Sequence, residues 1–405
     1  MRHAEKPGAI VLGGDLRALG IVRSLGRHDI PVTVVRYDED LVAMASRYAT
    51  HRIIRSPKTT ESAQVQDLMA LIERLDLGGS VLYATGDESS AFLSRHRELL
   101  ASCVHVTTPP WDVLRLVYDK RTTHHIAQCC GVGVPRTAFP RDLADLHELD
   151  MSFPVILKPS VKRHENALTR ARAWRANDLR ELTSLYREAR TLEDADTLMV
   201  QELLVGDGRS RFSYAALCRD GQPLASLTAC RLRQYPVEFG RHSTYVTTID
   251  DQEIESAARR FLRAVRYSGI IELEFHRDER DGELKLLDVN HRAWGWHSLG
   301  AAAGVDFPYL EWLSNMGADI ARVHGRPGVR WRRASTDMLA ILGELRRGSI
   351  SLRQTLGELR PGADRAVWAK DDPLPAMADP PLTFRKRISR YVRETRGSMV
   401  SRVSR

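Results

Sequence analysis

The sequence predicts an α/β protein in which a doubly wound parallel unit is followed by a part organised around antiparallel hairpins. Apolar runs, glycine turns and helix-period segments alternate from Ala9 to Leu100, as parallel β-α units require. Strand-rich runs joined by turn residues take over from Arg211 to Gln234. Two acid-bearing runs, Glu272-Leu-Glu-Phe275 and Leu287-Asp-Val-Asn-His-Arg292, then read as a further hairpin. With 405 residues, 43% hydrophobic and 28% charged, the chain can bury a large core divided over two or three domains.

In chain order, Ala9-Ile-Val-Leu-Gly-Gly-Asp15 and Ala18 to Leu25 predict a strand, a glycine turn and a helix. Pro31-Val-Thr-Val-Val35 is the next strand, and Ser80-Val-Leu-Tyr-Ala-Thr-Gly-Asp87 repeats the pattern before a helix near Ser90 to Leu100. Gly13, Gly14 and Gly20 do not make G-x-G-x-x-G, and Asp38 is the early candidate for a ribose acid, so a dinucleotide fingerprint is weak. Val113 to Ala127 has helical periodicity with Lys120 inside it. Phe153-Pro-Val-Ile-Leu-Lys-Pro159 is a buried-type strand whose single charge, Lys158, sits at the end. An ammonium there is costly unless an anion meets it, and phosphate is the natural partner. Thr197-Leu-Met-Val-Gln-Glu-Leu-Leu-Val-Gly206 is an apolar strand interrupted by Gln201-Glu202.

Arg211 to Cys218, the turn Arg219-Asp-Gly-Gln222 and Leu224 to Gln234 predict a hairpin with Arg231 and Arg233 on one face. Gln252 to Arg266 predicts an amphipathic helix. In the final hairpin Ile271, Leu273 and Phe275 share one surface and Glu272, Glu274 and His276 the other, because strand side chains alternate. Asp288, Asn290 and Arg292 project together on the second strand. A three-residue loop within Glu279-Arg-Asp-Gly-Glu283, with Gly282 left-handed, places Glu274 opposite Asp288 and Glu272 opposite Asn290. Facing carboxylates repel unless a cation lies between them, and two acids with an amide carbonyl are hard oxygen ligands suited to Mg²⁺. Trp294, Trp296 and His297 follow, as an acceptor pocket with His297 as a base or as core.

An acid in a strand, a hairpin and then acid-x-Asn-x-Arg resembles the metal and phosphate end of the ATP-grasp superfamily, which includes D-alanine ligases, biotin carboxylases and many carboxylate-amine ligases. Upstream segments follow in that superfamily's order, so the resemblance covers about residues 8 to 320. It implies a Rossmann-like N-terminal domain over 1–110, a two-subdomain ATP-grasp domain over 111–325 with its lid at about 138–200, and a helical, basic C-terminal extension over 326–405. It implies ATP with Mg²⁺ or Mn²⁺ as cofactors and small-molecule carboxylate and amine substrates, and allows a homodimer. By the same resemblance Lys120, after Asp119, and Lys158 reach the nucleotide phosphates. Gln201, Glu202, Leu203 and Leu204 form the adenine linker and Asp207 is a ribose contact. Arg231 clamps phosphate or substrate, Glu274, Asp288 and Asn290 hold metal, and Arg292 stabilises the oxyanion while an amine displaces phosphate from an acyl phosphate. The chain departs from the pattern in having Asp288 for the usual glutamate, His291 for a frequent proline, and no glycine from Ser160 to Arg172. Lys162, Arg163 or the arginines near Arg170 are then the expected phosphate contacts of the lid. An NAD-binding dehydrogenase and a non-catalytic ATP-binding scaffold are the competing readings.

The net charge of +8 is concentrated at one end: between Leu382 and Arg405 stand eight basic residues and one acid. The remainder is nearly neutral and carries no basic platform interleaved with aromatics, so specific nucleic-acid binding is not expected. The 382–405 tail reads as an amphipathic helix, either solvated or set against anionic lipid or an acidic partner. Asp371-Asp-Pro-Leu-Pro375 reads as a linker before it. Five cysteines without metal-type spacing read as reduced thiols. With no long apolar run and no signal-like N-terminus, the expected location is the cytoplasm.

Overall fold

The computed structural model describes residues 6–37, 40–56, 60–161, 166–206, 208–236, 240, 242–348, 350–351 and 363–379. Asp38, Lys162, Arg163, Asp207 and the 382–405 tail lie outside the described residues. The apolar runs of the N-terminal part become β1 (Ala9–Leu12), β2 (Val32–Arg36), β3 (Ala49–Ile54), β4 (Val81–Ala84) and β5 (His105–Val106), an all-parallel sheet in the order β3-β2-β1-β4-β5. Helices α1 (Leu16–Gly26), α2 (Glu61–Arg74), α3 (Asp87–Arg95) and α4 (Arg97–Leu100) connect them. Asp15 starts α1 by accepting the N–H groups of Arg17 and Ala18. Strand order reverses between β1 and β4, so Gly13-Gly14-Asp15 and Thr85-Gly86-Asp87 flank the crevice where open α/β sheets hold ligands.

Asp119 takes an extended conformation and divides the expected single helix into α5 (Trp111–Tyr118) and α6 (Lys120–Cys129), accepting the Arg121 N–H as the cap of the second. Lys120 is therefore a first-turn residue rather than a mid-helix one. A small antiparallel sheet follows in the order β6-β9-β7-β8, from β6 (Thr137–Ala138), β7 (Val155–Pro159), β8 (Trp174–Ala176) and β9 (Leu198–Glu202), with α7 (Ala167–Ala171) and α8 (Leu179–Ala189) beside it.

The large sheet is built from β10 (Arg211–Arg219), β11 (Gln222–Tyr235), β12 (His242–Ile249), β13 (Gly269–Arg277), β14 (Leu284–Asn290), β15 (Val323–His324), β16 (Arg330–Arg332) and β17 (Ala363–Arg365). Asp220 and Gly221, both at positive φ, make the two-residue turn that joins β10 to β11. Helix α9 (Gln252–Val265) buries Ile254, Ala257, Ala258, Phe261, Leu262 and Val265 against one sheet face. The other face meets the parallel sheet in a shared core that includes Val11, Ile21, Tyr83, Ala215, Leu227, Trp294, Trp296 and Trp331. Helices α10 (Leu299–Ala303), α11 (Phe307–Asn315) and α12 (Ala334–Arg347) follow β14 in the chain.

The β13–β14 hairpin turns differently from the sequence expectation. Arg277 pairs with Leu284, and Gly282, at φ +72°, donates to the Asp278 carbonyl in a wider loop. An irregularity between Glu274 and Phe275 then restores the register, placing Glu274 opposite Asp288 and Glu272 opposite Asn290. The segment expected to be a linker is instead an anchor, since Asp372 is fully buried against α1.

Glu311 of α11 is buried where the two sheets meet, beside Tyr83, Thr108, Tyr267 and Ile270, lining a cavity of about 10 Å³. Its Oε1 accepts the Ile270 N–H at 3.1 Å, while Oε2 has no partner among the described residues. Burial pushes the carboxyl up to about 8. The folded state therefore holds a proton that the unfolded state releases from about pH 4.5 upward, so stability falls as pH rises toward 8. Glu311→Gln keeps the acceptor for the Ile270 N–H and removes the titratable proton. Its unfolding free energy should match wild type near pH 4 and exceed it increasingly toward pH 8, as read from urea titrations across that range.

Candidate active site

Lys120, Lys158, Arg231, Glu274, Asp288 and Asn290, carried by α6, β7, β11, β13 and β14, form one group of interacting charges and dipoles. Lys120 reaches across from α6, its Nζ 2.7 Å from Asp288 Oδ1. Burial works to raise the Asp288 carboxyl, but Lys120 outweighs it and holds the group below its ordinary range. Arg231 is buried on β11 and sets Nη2 2.8 Å from Glu274 Oε2. There too burial acts upward, yet Arg231 prevails and Glu274 is ionised below its usual range. Asn290 donates Nδ2 to Glu274 Oε1 at 2.8 Å and to Glu272 Oε2 at 3.0 Å, which leaves its Oδ1 as an oxygen ligand.

Lys158 ends β7 as the sequence expected, with no ion pair or hydrogen bond among the described residues. Burial, and then the neighbouring Lys120 charge, lower its ammonium to about 8. An ammonium so disfavoured gains most from an arriving anion.

The residues expected to form an adenine linker are more constrained than the sequence suggested. Gln201 is buried, its Nε2 donating to Thr137 Oγ1 at 2.9 Å. The Glu202 side chain is fixed by Arg280 at 2.8 Å, Lys285 at 3.3 Å and the Arg136 N–H at 2.9 Å. The Glu202 N–H goes to the Arg136 carbonyl at 2.9 Å and the Leu203 N–H points to the Pro154 carbonyl at 3.4 Å, so Leu204 is the next position along the linker. Asp207 lies outside the described residues.

Arg292 extends from the end of β14 to the N-terminal part, with Nε 2.9 Å from Asp87 Oδ1 and Nη1 donating to the Ala293 carbonyl at 3.1 Å. Asp87 is held well below the carboxylate range, burial being outweighed by Arg292 and His291. The shared face expected for Arg231 and Arg233 does not form. A bulge at Leu232 pairs Arg231 with Val246 but Arg233 with Tyr245, and adjacent strand residues point to opposite sides. Arg233 instead binds Asp337 of α12 at 2.9 Å over the Tyr245 ring, outside that group of charges. Trp294, Trp296 and His297 are all buried. His297 is no base: its Nδ1 faces the Trp294 carbonyl at 2.8 Å, and a Cβ at Gly20 would sit 2.4 Å from Nε2.

Sequence reasoning passed over Arg211 and Asp87, gave Glu272 only as the residue facing Asn290, and covered Arg172 only among the arginines near Arg170. Glu272, raised by burial and by Glu274, accepts the Trp296 indole N–H at 3.0 Å behind the metal-type ligands. Arg211 joins from β10, Asp87 from the first turn of α3, and Arg172 from the end of the glycine-free stretch. The absence of glycine was the signal for Arg172. Asp87 became a neighbour only when two distant parts of the chain packed together.

Residues 194–336, which contain the linker end, the large sheet and the hairpin, match the family described as ATP-grasp in the biosynthetic pathway with Ter operon. The fold is similar to that of an L-amino acid ligase from Bacillus licheniformis, with a TM-score of 0.58 at 16% identity over 77% of this chain and 74% of that one. It is also similar to the biotin carboxylase domain of the Hydrogenobacter thermophilus 2-oxoglutarate carboxylase, solved with MgADP, ADP and bicarbonate, with a TM-score of 0.62 at 15% identity over 80% and 74% of the two chains. The chain also aligns with the D-aspartate ligase of Enterococcus faecium (strain Aus0004) at 23% identity over 223 residues, 52% of its own length. That alignment spans about half of the curated relative, 53% of its length.

Proposed function

We propose that the protein is an ATP-dependent ligase that joins a carboxylate to an amine through an acyl phosphate, releasing ADP and phosphate. The observation that carries this reading is the convergence of two lysines, a buried arginine and the Glu274–Asp288–Asn290 set of oxygen donors. In it Lys120 and Lys158 take the phosphates, the linker at Gln201, Glu202, Leu203 and Leu204 takes the adenine with Leu204 offering the main-chain edge, and Asp207 takes the ribose. The donor set fits Mg²⁺ or Mn²⁺, because both carboxylates are ionised and Asn290 keeps a free acceptor. When bound, the metal neutralises phosphate charge. The chain's own residues position and shield. A carboxylate oxygen attacks the γ-phosphorus as its bond to ADP breaks; the amine nitrogen then bonds to the acyl carbon, phosphate leaves with the C–O electron pair, and the ammonium gives up its proton. Arg292, oriented by Asp87, stabilises the oxyanion of that second step.

The relatives support the reading: one is named D-aspartate ligase and another L-amino acid ligase. In the same reading the parallel N-terminal sheet is a Rossmann-like domain whose β1–β4 crevice shapes the acid pocket. The enzyme works in the cytoplasm, as a monomer or homodimer. No helix among the described residues is long and apolar enough to cross a membrane. The test is ADP release with ATP, Mg²⁺ and mixed amino acids. Release that depends on added acid and amine is expected. Nucleotide binding without release would favour a scaffold, and NAD binding without ATP binding a dehydrogenase.

A further inference from the structure

Arg172 stands where the lid would carry a glycine loop, and its backbone is unusual. It follows α7 with φ +72° and ψ −38°, a region that residues bearing a Cβ rarely occupy and that clusters at functional sites. Arg266, by contrast, caps α9 at φ 51° and ψ 41°, inside the ordinary left-handed basin. From this position the Arg172 side chain leaves the small sheet, its Nη1 donating to the Gly240 carbonyl at 3.1 Å in the β11–β12 connection. It lies within electrostatic reach of Glu274, Asp288, Arg231 and Arg292, and of Lys158 and Arg211. Lys120, Lys158, Arg172, Arg211 and Arg231 thus surround Glu272, Glu274 and Asp288, an excess of positive charge that an anionic ligand would balance.

We propose that Arg172 is the lid's phosphate ligand, its guanidinium giving the terminal phosphate of a nucleoside triphosphate the hydrogen bonds that a glycine loop's N–H groups would otherwise donate. This rests on the nucleotide-dependent reading above. A planar, permanently charged fork suits that role, and its contact with Gly240 ties it to the sheet that carries the acids.

The test separates charge from backbone. Glycine adopts positive φ freely, so Arg172→Gly removes the guanidinium and relieves the conformation, and its thermal unfolding temperature should be no lower than wild type. Calorimetric titration with Mg²⁺ and the non-hydrolysable analogue AMP-PNP is expected to show a loss of about 10- to 100-fold in affinity for Arg172→Gly and Arg172→Ala. ADP affinity should stay unchanged, Arg172→Lys should fall between, and added guanidinium ion should partly restore AMP-PNP binding to Arg172→Gly. If Arg172→Gly keeps the wild-type preference for AMP-PNP over ADP, the residue is only a tether to Gly240 and the assignment fails alone. If wild type binds neither nucleotide, the ligase reading fails and takes the assignment with it.

Discussion

Asp288→Asn is expected to lower ATP-dependent ADP release by on the order of 10³-fold while leaving the fold intact, and Lys158→Ala to do the same. Asparagine keeps the shape of the side chain and removes the charge that both binds Lys120 at 2.7 Å and supports the Lys158 ammonium. The two lysines would then face each other with less compensation, and an oxygen ligand of the metal-type set is lost. A pH dependence follows. In the free protein Lys158 titrates near 8, below the ordinary lysine value, because burial and Lys120 disfavour its charged form. Phosphate binding requires that form, so nucleotide affinity should fall as pH rises through about 8, with proton uptake on binding above it. The same shift makes folding stability recover above pH 8, where the folded state is already neutral at Lys158 and the unfolded state is not. Asp288→Asn removes a group that raises Lys158, so the midpoint of the affinity profile should move to lower pH. Titrations in buffers of different ionisation enthalpy measure the proton uptake directly. Full turnover in either variant, with unchanged circular dichroism, would refute the site assignment.

What was legible in the sequence was whatever depends on side-chain period and local turn chemistry. The hairpin register could be read because Glu272, Glu274, Asp288 and Asn290 sit on the polar face of strands whose apolar face must be buried. The mechanism of that register was misread, since a wider loop and a bulge together reproduce the pairing that a shorter loop would give. One extra residue in a strand cannot be seen in an alternating pattern, and this is also why Arg231 and Arg233 seemed to share a face. The break at Asp119 was hidden because apolar spacing continues through it from α5 to α6. Least legible were contacts between distant segments. Arg292 with Asp87, Arg23 with Asp372 and Glu202 with Arg280 are set by how separate units pack, and composition carries no trace of that.

Asp372→Ala should destabilise the protein by about 3–5 kcal/mol, because it strands a buried guanidinium. Asp372 is fully buried and accepts from Arg23 Nε at 2.9 Å, Ser46 Oγ at 2.7 Å and the Arg47 N–H at 2.9 Å. Arg23 in turn donates Nη2 to the Val367 and Asp372 carbonyls at 2.8 and 2.7 Å, so the pair fastens residues 363–379 to α1. The neighbouring Asp371 pairs with Arg27 at 2.8 Å, but both side chains are more than a third exposed, and Asp371→Ala should cost only about 0–1 kcal/mol. Adjacent residues of one type thus give a built-in control for burial. The double variant Arg23→Met, Asp372→Leu removes both charges together and should lose less stability than Asp372→Ala, though not return to wild type, since Ser46 and the Arg47 N–H still lose their acceptor. Urea unfolding gives the three energies. Limited proteolysis should cut within 363–379 faster in Asp372→Ala than in Asp371→Ala, and equal rates would show that the buried pair does not hold the segment.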